Sequence, residues 1–197
     1  MLAVAARPEQ LTRAMESLEA AFLIGVEGVT EIWLVRHADC YQDLTATEDP
    51  PLSALGRQQA ARLAERVRRL RHAAVYSSPY RRAIETARAI TGDVRQDKRL
   101  VEMELEVGED GVFNFVEDSD AVVSRMRAVL DEIAAAHTGH RVVVVSHGAA
   151  IMAYLGDVLM LEPGRLRALP YFTSVSIVRV LGDRRVVSTF GDVAHLE

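Results

Sequence analysis

The sequence predicts an α/β protein, a three-layer α/β/α sandwich with a mostly parallel central sheet and one additional N-terminal helix. Short apolar runs alternate with helical segments from residue 31 onward, which is typical of parallel sheets with helical crossovers. The four consecutive valines at 142–145 indicate a central strand that is buried on both faces. A chain of 197 residues suits one such domain and is too short for two of ordinary size.

The bulk composition excludes several classes of protein. Hydrophobic residues make up 49% and charged residues 26%, which is ordinary for a globular chain, and the net charge of -5 argues against a general nucleic-acid partner. No apolar run approaches the roughly 18 to 20 residues that span a membrane, and the run 20–26 follows Glu16 and Glu19, so neither a membrane anchor nor a signal peptide is expected. Cys40 is the single cysteine, which favours a reducing, cytoplasmic location.

The first 30 residues form an N-terminal helical extension, and residues 31–197 form the main domain. A helix is predicted here, with Pro8 near its start and Gly25 near its end. Its apolar residues recur at helical spacing: Leu11, Met15, Leu18 and Phe22. Such a stripe must be covered either by the chain's own domain or by a second copy. We expect a homodimer, with packing on the chain's own domain as the alternative.

The main domain begins with a strand at 31–36 and a polar stretch at 39–51, in which Pro50 and Pro51 exclude a helix. Ser53 then caps a helix predicted over 54–70. Its inner face contains Leu55, Ala60, Leu63, Val67 and Leu70. The opposite face is rich in arginine, and we favour a solvated surface there over an anion site.

The remaining elements follow in alternation. A strand at 73–76 leads into a helix within "SSPYRRAIETARAI", and a third strand is predicted at 94–96. The acidic segment around Glu104, Glu106 and Glu109 is interpreted as a loop. "DSDAVVSRMRAVLDEIAAAH" predicts an amphipathic helix with Val122, Met126, Val129 and Ile133 in the core. "RVVVVSHGAAIMAYL" predicts a strand and a helix, and "SVSIVRVLGDRRVVSTF" a β-hairpin around Gly182-Asp183.

Three of the predicted strands end in polar residues: Arg36-His37, Ser77-Ser78 and Ser146-His147-Gly148. Ligands of α/β sheets bind beyond the carboxyl ends of the strands, so we expect the two histidines to meet there. Arg82, one turn into the following helix, would point toward the same place. Two arginines and two histidines suit an anion with several oxygens, and a phosphoryl group fits best.

Four segments resemble, in order and spacing, the signature segments of the histidine phosphatase superfamily, also called phosphoglycerate mutase-like: "LVRHA", "SSPYRRAIETA", "LVEMELEVG" and "VVVVSHGAAI". The resemblance covers about residues 31 to 190. It implies that His37 becomes phosphorylated and that Arg36, Arg82 and His147 belong to the catalytic set that binds the phosphoryl group. It also implies that Glu102, in a Leu-x-Glu pattern, is the proton donor.

The chemistry of these side chains agrees with the roles that the resemblance implies. Neutral imidazole is a fair nucleophile, since the reference pKa of His is about 6.5. Arg36, Arg82 and a protonated His147 would stabilise charge on the equatorial oxygens. Glu102 would protonate the leaving oxygen and then help water attack, with Glu106 as the alternative acid. No metal or cofactor is expected, and no HxxEH-type cluster is present.

The chain departs from the family pattern beside the phosphate pocket. Many members have Gly where this chain has Ala38, Thr where it has Cys40 and Asn where it has Asp43. Cys40, Asp43 and Gly148 therefore join Arg36, Arg82 and His147 as candidate substrate-binding residues. Cys40 is either a reactive thiol or inert packing, and packing is the commoner case. The loop 108–118 also lacks a Trp-Glu-Gly segment that many sugar-phosphate members carry.

The sequence thus predicts a metal-independent phosphatase that hydrolyses a small phosphorylated metabolite, a phosphate monoester, through a phosphohistidine. The alternatives are phosphoglycerate mutase-type transfer, a phosphohistidine protein phosphatase and a catalytically inactive binding module. The short stretch between Glu102 and His147 leaves little chain for a closing lid, which favours hydrolysis over mutase chemistry. The presence of both His37 and Glu102 argues against an inactive module.

Overall fold

The computed structural model describes residues 8–40, 49–109, 111, 113–162 and 165–197. Its helices are α1 (Pro8–Ala21), α2 (Ala54–Arg68), α3 (Arg81–Ile90), α4 (Ser119–Ala136) and α5 (Gly148–Val158). Its strands are β1 (Thr30–Arg36), β2 (Ala74–Ser77), β3 (Arg95–Gln96), β4 (Leu105–Val107), β5 (Phe113–Phe115), β6 (Arg141–Ser146), β7 (Val175–Leu181) and β8 (Arg184–Asp192). Short 3-10 helices occupy Lys98–Leu100 and Ala194–Leu196.

The central sheet has the strand order β3-β2-β6-β1-β7-β8. The strands β3, β2, β6 and β1 are parallel, while β7 is antiparallel to both of its neighbours. The register places Arg36 opposite Ser146 and Ser77 opposite Val145, so three strands end at the same level. The predicted α/β/α fold with a mostly parallel sheet is therefore confirmed.

Alternation along the central strands divides the core into two layers. Side chains such as Ile32 and Val144 pack with α4 and α5, whereas Trp33 and Val145 pack with α2 and α3. All four valines at 142–145 are fully buried, as predicted for a strand covered on both faces. The predicted core positions of α4 are also buried: Val122, Met126, Val129 and Ile133.

The prediction for the inner face of α2 is confirmed only in part. The Ser53 hydroxyl accepts a hydrogen bond from Gly56 N at 2.9 Å and caps the helix as expected. Ala60, Leu63 and Val67 are buried. Leu55, however, is 52% exposed, because it lies in the first turn on the solvent side, and Leu70 follows the helix end and is half-buried.

A second, two-stranded sheet was not predicted. β4 and β5 pair antiparallel, with Leu105 opposite Phe115 and Glu106 opposite Asn114. Each strand has three residues, Leu-Glu-Val and Phe-Asn-Phe, and an apolar-polar alternation over three residues is too short to identify a strand.

Helix α1 extends away from the domain, and its side chains from Glu9 onward are exposed. The predicted apolar stripe is half exposed: Leu11 54%, Met15 54%, Leu18 52% and Phe22 53%. The C-terminal end of the helix is attached to the domain by Arg184, whose Nη2 donates to Ala20 O at 3.2 Å and to Ala21 O at 2.9 Å. No part of the chain that the structure describes covers the stripe.

None of the helices within the described residues is long and apolar enough to cross a membrane.

Candidate active site

The carboxyl ends of β1, β6 and β2 bring the predicted residues together, because these strands are neighbours with aligned ends. His37 follows β1 and His147 follows β6, and their ring centroids lie 5.1 Å apart. His37 is 4% exposed and His147 is fully buried. Both histidines are therefore buried at the carboxyl ends of the central strands.

His37 is held in one orientation by its own loop. Its Nδ1 lies 2.8 Å from the carbonyl oxygen of Ala38 and donates to it, which leaves the lone pair on Nε2. Burial, aided by the charges of Arg82 and Arg36, lowers the pKa of His37 to about 3. The ring is therefore neutral at physiological pH, with its lone pair on Nε2.

His147 is paired through the other ring nitrogen. Its Nε2 lies 2.8 Å from the Ser78 hydroxyl, which also accepts from Tyr80 N at 3.3 Å. Burial, together with the positive charges that His37, Arg82 and Arg36 can carry, holds the pKa of His147 well below its usual range. The imidazole is therefore neutral in the protein without substrate. The expected protonated His147 concerns the complex with a phosphoester and stays a prediction.

Arg36 is fixed by a carbonyl and an aromatic ring. Its Nη1 donates to Pro170 O at 2.8 Å, and its Cζ lies 4.1 Å from the centroid of the Phe172 ring. Gly148 makes the close approach possible, because a Cβ at that position would lie 3.3 Å from Arg36 Nε and 3.1 Å from Leu169 Cδ1. The bare backbone of Gly148 thus permits the guanidinium to pack against the start of α5.

Arg82 lies in the first turn of α3, where its side chain is 14% exposed. Its Nη1 is 3.3 Å from Asp49 Oδ1, and its Cζ is 4.7 Å from the centroid of the Tyr80 ring. Thr86 links this helix to the loop that follows β1, since its hydroxyl donates to Arg82 O at 2.7 Å and accepts from Ala38 N at 3.0 Å.

Two polar atoms of this cluster are buried without a hydrogen-bond partner among the described residues, Arg36 Nε and His147 Nδ1. Buried polar groups are nearly always paired, so these two atoms can each form a hydrogen bond with a bound group. Both residues adjoin the N-terminal end of α5, where the helix dipole favours an anion. The arrangement suits a phosphoryl group.

Glu102 lies at the same end of α5. Its Oε1 accepts from Met103 N and from Ala150 N, each at 2.9 Å, and its Oε2 lies 3.4 Å from Ala149 N. Glu106, the alternative acid, is exposed on β4. The geometry therefore favours Glu102 over Glu106 as the carboxylate of this site.

The backbone around Glu102 is held by Arg125 from α4. Its Nη1 donates to the carbonyl oxygens of Arg99 and Val101, both at 2.8 Å, and its Nη2 donates to that of Glu102 at 3.2 Å. The Arg125 guanidinium also pairs with Glu117 at 2.8 Å and holds the pKa of that carboxyl below its usual range.

The candidate specificity residues have different outcomes. Asp43 lies outside the described residues. Cys40 is 3% exposed, and burial raises the pKa of its thiol, so the structure favours packing over reactivity. The backbone of the neighbouring Asp39 packs directly against Gly56, because a Cβ on Gly56 would lie 2.0 Å from Asp39 O. Gly148 acts through the space it leaves for Arg36.

Sequence reasoning placed Ser78 at this edge of the sheet without giving it a role, and it did not identify three further residues that contact the site: Thr86, Arg125 and Phe172. Ser78 and Thr86 lie within the second signature segment, which was the available signal. Phe172 belongs to a segment that returns to the site, where Thr173 N donates to Arg36 O at 2.9 Å, and no sequence pattern marks it. The described residues contain no group of three or more His, Cys, Asp or Glu that could hold a metal ion.

Comparison with known proteins agrees with this geometry. The family model described as histidine phosphatase superfamily (branch 1) matches residues 32–113 and 108–193. Phosphoglycerate mutase-like protein 4 of Arabidopsis thaliana is 30% identical over 205 residues, covering 85% of this chain and 87% of that protein. Probable phosphoglycerate mutase GpmB of Proteus mirabilis is 30% identical over 204 residues, covering 84% of this chain and 94% of that protein.

Solved structures show the same relationship. Bacillus stearothermophilus YhfR superposes with a TM-score of 0.74 at 28% identity, covering 85% of this chain and all of that one. The phosphoserine phosphatase of Entamoeba histolytica, in complex with 3-phosphoglyceric acid, has a TM-score of 0.72 at 23% identity, and this likeness concerns the fold alone. The fold and its relatives are of the phosphatase and mutase type. The chain belongs to the histidine phosphatase superfamily, branch 1.

Proposed function

We propose that the protein is a metal-independent phosphatase that hydrolyses small phosphate monoesters through a phosphohistidine intermediate. The observation that carries the proposal is the buried pair His37 and His147, 5.1 Å apart, with Arg36 Nε and His147 Nδ1 lacking partners among the described residues. A neutral imidazole with its lone pair on Nε2 supplies the nucleophile, and the guanidinium groups supply the positive charge.

The reaction follows from the positions of these groups. His37 Nε2 attacks phosphorus, and the bond from phosphorus to the ester oxygen breaks as Glu102 gives that oxygen a proton. Arg36, Arg82 and the Nδ1 side of His147 bind the equatorial oxygens during the transfer. Water then attacks the phosphohistidine, Glu102 accepts a proton from it, and inorganic phosphate leaves with His37 restored.

Hydrolysis is favoured over mutase chemistry by the small amount of chain near the site. Between Glu102 and His147 the described residues form the β4–β5 hairpin and α4, and α4 is committed to the core through Val122, Met126 and Val129. A mutase must retain its intermediate while the substrate turns, which requires an enclosing segment. Several relatives are named phosphoglycerate mutases, so mutase activity is the alternative that the experiment must measure.

The test combines turnover with labelling. The protein should hydrolyse p-nitrophenyl phosphate in EDTA and should take up acid-labile 32P from a labelled ester. His37→Ala should retain less than about one per cent of the activity and none of the label, because a covalent nucleophile is worth several orders of magnitude. Loss of activity in EDTA that a divalent ion restores would refute the metal-free mechanism. Interconversion of 2- and 3-phosphoglycerate faster than release of phosphate would assign the protein as a mutase.

A further inference from the structure

We propose that an apolar pocket beside Glu102 binds the organic part of the ester, and that the preferred substrates therefore carry an uncharged or cationic hydrophobic group and no carboxylate. This inference rests on the proposed phosphatase function, because it concerns the leaving group of that reaction. The pocket is separate from the Arg36, His37, Arg82 and His147 cluster, since none of those residues lines it.

The pocket has the size and lining of a small-molecule site. Its volume is about 330 Å³, within the range of pockets that enclose organic ligands. It lies between β5, the first turns of α4 and one face of α5. The apolar side chains that line it include Met103, Phe115, Val123, Ala149, Met152 and Leu166. Phe115 is 61% exposed and Met152 is half-buried, so apolar surface is available there within the described part of the chain.

The position of the pocket connects it to the chemistry. Met103 lines it and directly follows Glu102, and its backbone N donates to Glu102 Oε1 at 2.9 Å. Ala149 also lines it, and Ala149 N lies 3.4 Å from Glu102 Oε2. The leaving oxygen must contact Glu102 to receive its proton, so the organic group attached to that oxygen would start beside Met103 and Ala149, which Glu102 contacts and which line the pocket.

The charges of the pocket select against acidic esters. Its lining contains four carboxylates, Glu117, Asp120, Asp157 and Glu162, and no described Lys, Arg or His. Glu117 pairs with Arg125, and Asp157 with Arg127, whereas Asp120 and Glu162 have no ion-pair partner among the described residues. An ester with a carboxylate, such as a phosphoglycerate, would meet uncompensated negative charge, which costs binding energy at short range.

The test compares two aryl esters that differ in one charge. The kcat/KM for 4-carbamoylphenyl phosphate should exceed that for 4-carboxyphenyl phosphate at least tenfold at low ionic strength, because the leaving phenols are similar in acidity. Asp120→Lys should reduce this ratio at least threefold, because it replaces a negative charge in the pocket lining with a positive one. Glu65→Lys on the exposed side of α2 is the matched control, since it changes net charge equally at a residue that does not line the pocket, and it should not alter the ratio.

A second variant tests the apolar volume. Met152→Trp should lower kcat/KM for 1-naphthyl phosphate at least fivefold relative to p-nitrophenyl phosphate, with thermal melting used to show that the variant is folded. Equal kcat/KM for the carbamoyl and carboxy esters would overturn the inference and leave the phosphatase proposal intact. A ratio of these two values that Asp120→Lys does not change would do the same. Failure of the wild-type protein to hydrolyse any of the esters would overturn the phosphatase proposal itself, and this inference with it.

Discussion

His37 and His147 are buried as neutral imidazoles beside two guanidinium groups, and this arrangement has a cost in acid. The pKa of His37 falls from 6.5 in the unfolded chain to about 3 in the folded protein. Below pH 6.5 the unfolded state therefore binds a proton that the folded state does not bind. The free energy of unfolding decreases as pH falls from about 6.5 toward 3. Each pH unit in that window costs about 1.4 kcal/mol for one such histidine.

We expect this linkage to be visible in urea unfolding at pH 7.0 and pH 5.5. The free energy of unfolding of the wild-type protein should decrease from pH 7.0 to pH 5.5. In His37→Asn, which lacks the titrating ring, this decrease should be about 1 kcal/mol smaller. His140→Asn is a suitable control because that ring is exposed. Identical pH dependence in wild type and His37→Asn would show that His37 is not held neutral in the folded state.

We predict that Ser78 positions the proton of His147. If its hydroxyl donates to His147 Nε2, the ring carries its proton on Nδ1, the atom without a partner, and offers it to a phosphoryl oxygen without needing a second proton. Ser78→Ala should therefore lower kcat about tenfold or more, as removal of a transition-state donor does. The 15N chemical shifts of the His147 ring should also show that the proton has moved from Nδ1 to Nε2 in this variant.

Ser77→Ala is the matched control for this prediction. Ser77 is equally buried, but its hydroxyl donates to the carbonyl oxygen of Ser78 at 2.8 Å and not to the histidine. It should leave the His147 tautomer unchanged. Unaltered nitrogen shifts in Ser78→Ala, even with reduced activity, would mean that Ser78 contributes packing only.

The role of Glu102 depends on the leaving group. Glu102→Gln should reduce kcat for an alkyl phosphate far more than for p-nitrophenyl phosphate, because nitrophenolate leaves without a proton and an alkoxide does not. A difference of at least 100-fold between the two losses is expected from the usual contribution of a general acid, about 10² to 10⁴. Glu106→Gln, on exposed β4, should affect both esters little, and equal losses for the two esters in Glu102→Gln would assign the proton donor to another residue.

Among the elements, α1 has a surface that the described chain does not cover. Its apolar residues follow one another at spacings of four, three and four residues, from Leu11 to Phe22, which is the spacing of a coiled-coil seam. Ala14 and Ala21 flank the seam and allow a second helix to approach closely. The polar face carries Glu9, Glu16 and Glu19 against Arg13, which does not suit an anionic membrane surface. We therefore propose that α1 pairs with α1 of a second copy.

The oligomeric state tests this proposal. Light scattering should show a dimer for the full chain and a monomer for the double variant Met15→Glu, Leu18→Glu, because two buried carboxylates cannot be accommodated in the seam. Arg13→Glu changes the polar face of the same helix and should remain dimeric. A chain starting at Val29 should be monomeric. A monomeric full-length protein, or a dimer that persists without the seam, would end the proposal.

The elements also show where a sequence pattern is informative. Helix α4 and strand β6 were predicted because their core positions recur with an unambiguous period, and all of those positions are buried. The β4–β5 hairpin was missed because three-residue strands are too short to show alternation, and their stability comes from pairing with each other. Leu55 was misplaced because a helical stripe does not reveal which residue of the first turn meets the core.

For the whole molecule, the strand order explains why the site could be predicted at all. Parallel neighbours that end at one edge bring together residues distant in sequence, so Arg36, His37 and His147 were expected to meet. Arg125 and Phe172 could not be predicted, because each acts through backbone carbonyls or a ring face chosen by tertiary packing. The same holds for the pocket beside Glu102, whose walls come from β5, α4 and α5.

The place of β1 in the sheet affects how the protein is made. β1 lies between β6 and β7, with Glu31 opposite both Arg141 and Arg179, so both of its partners come from the later part of the chain. During translation the strand that precedes His37 leaves the ribosome early and has no sheet neighbour until those segments follow. Such distant pairing folds slowly, and an unpaired apolar strand is exposed to aggregation in the meantime. A nascent or prematurely terminated chain that lacks both β6 and β7 therefore has His37 on a strand without a neighbour.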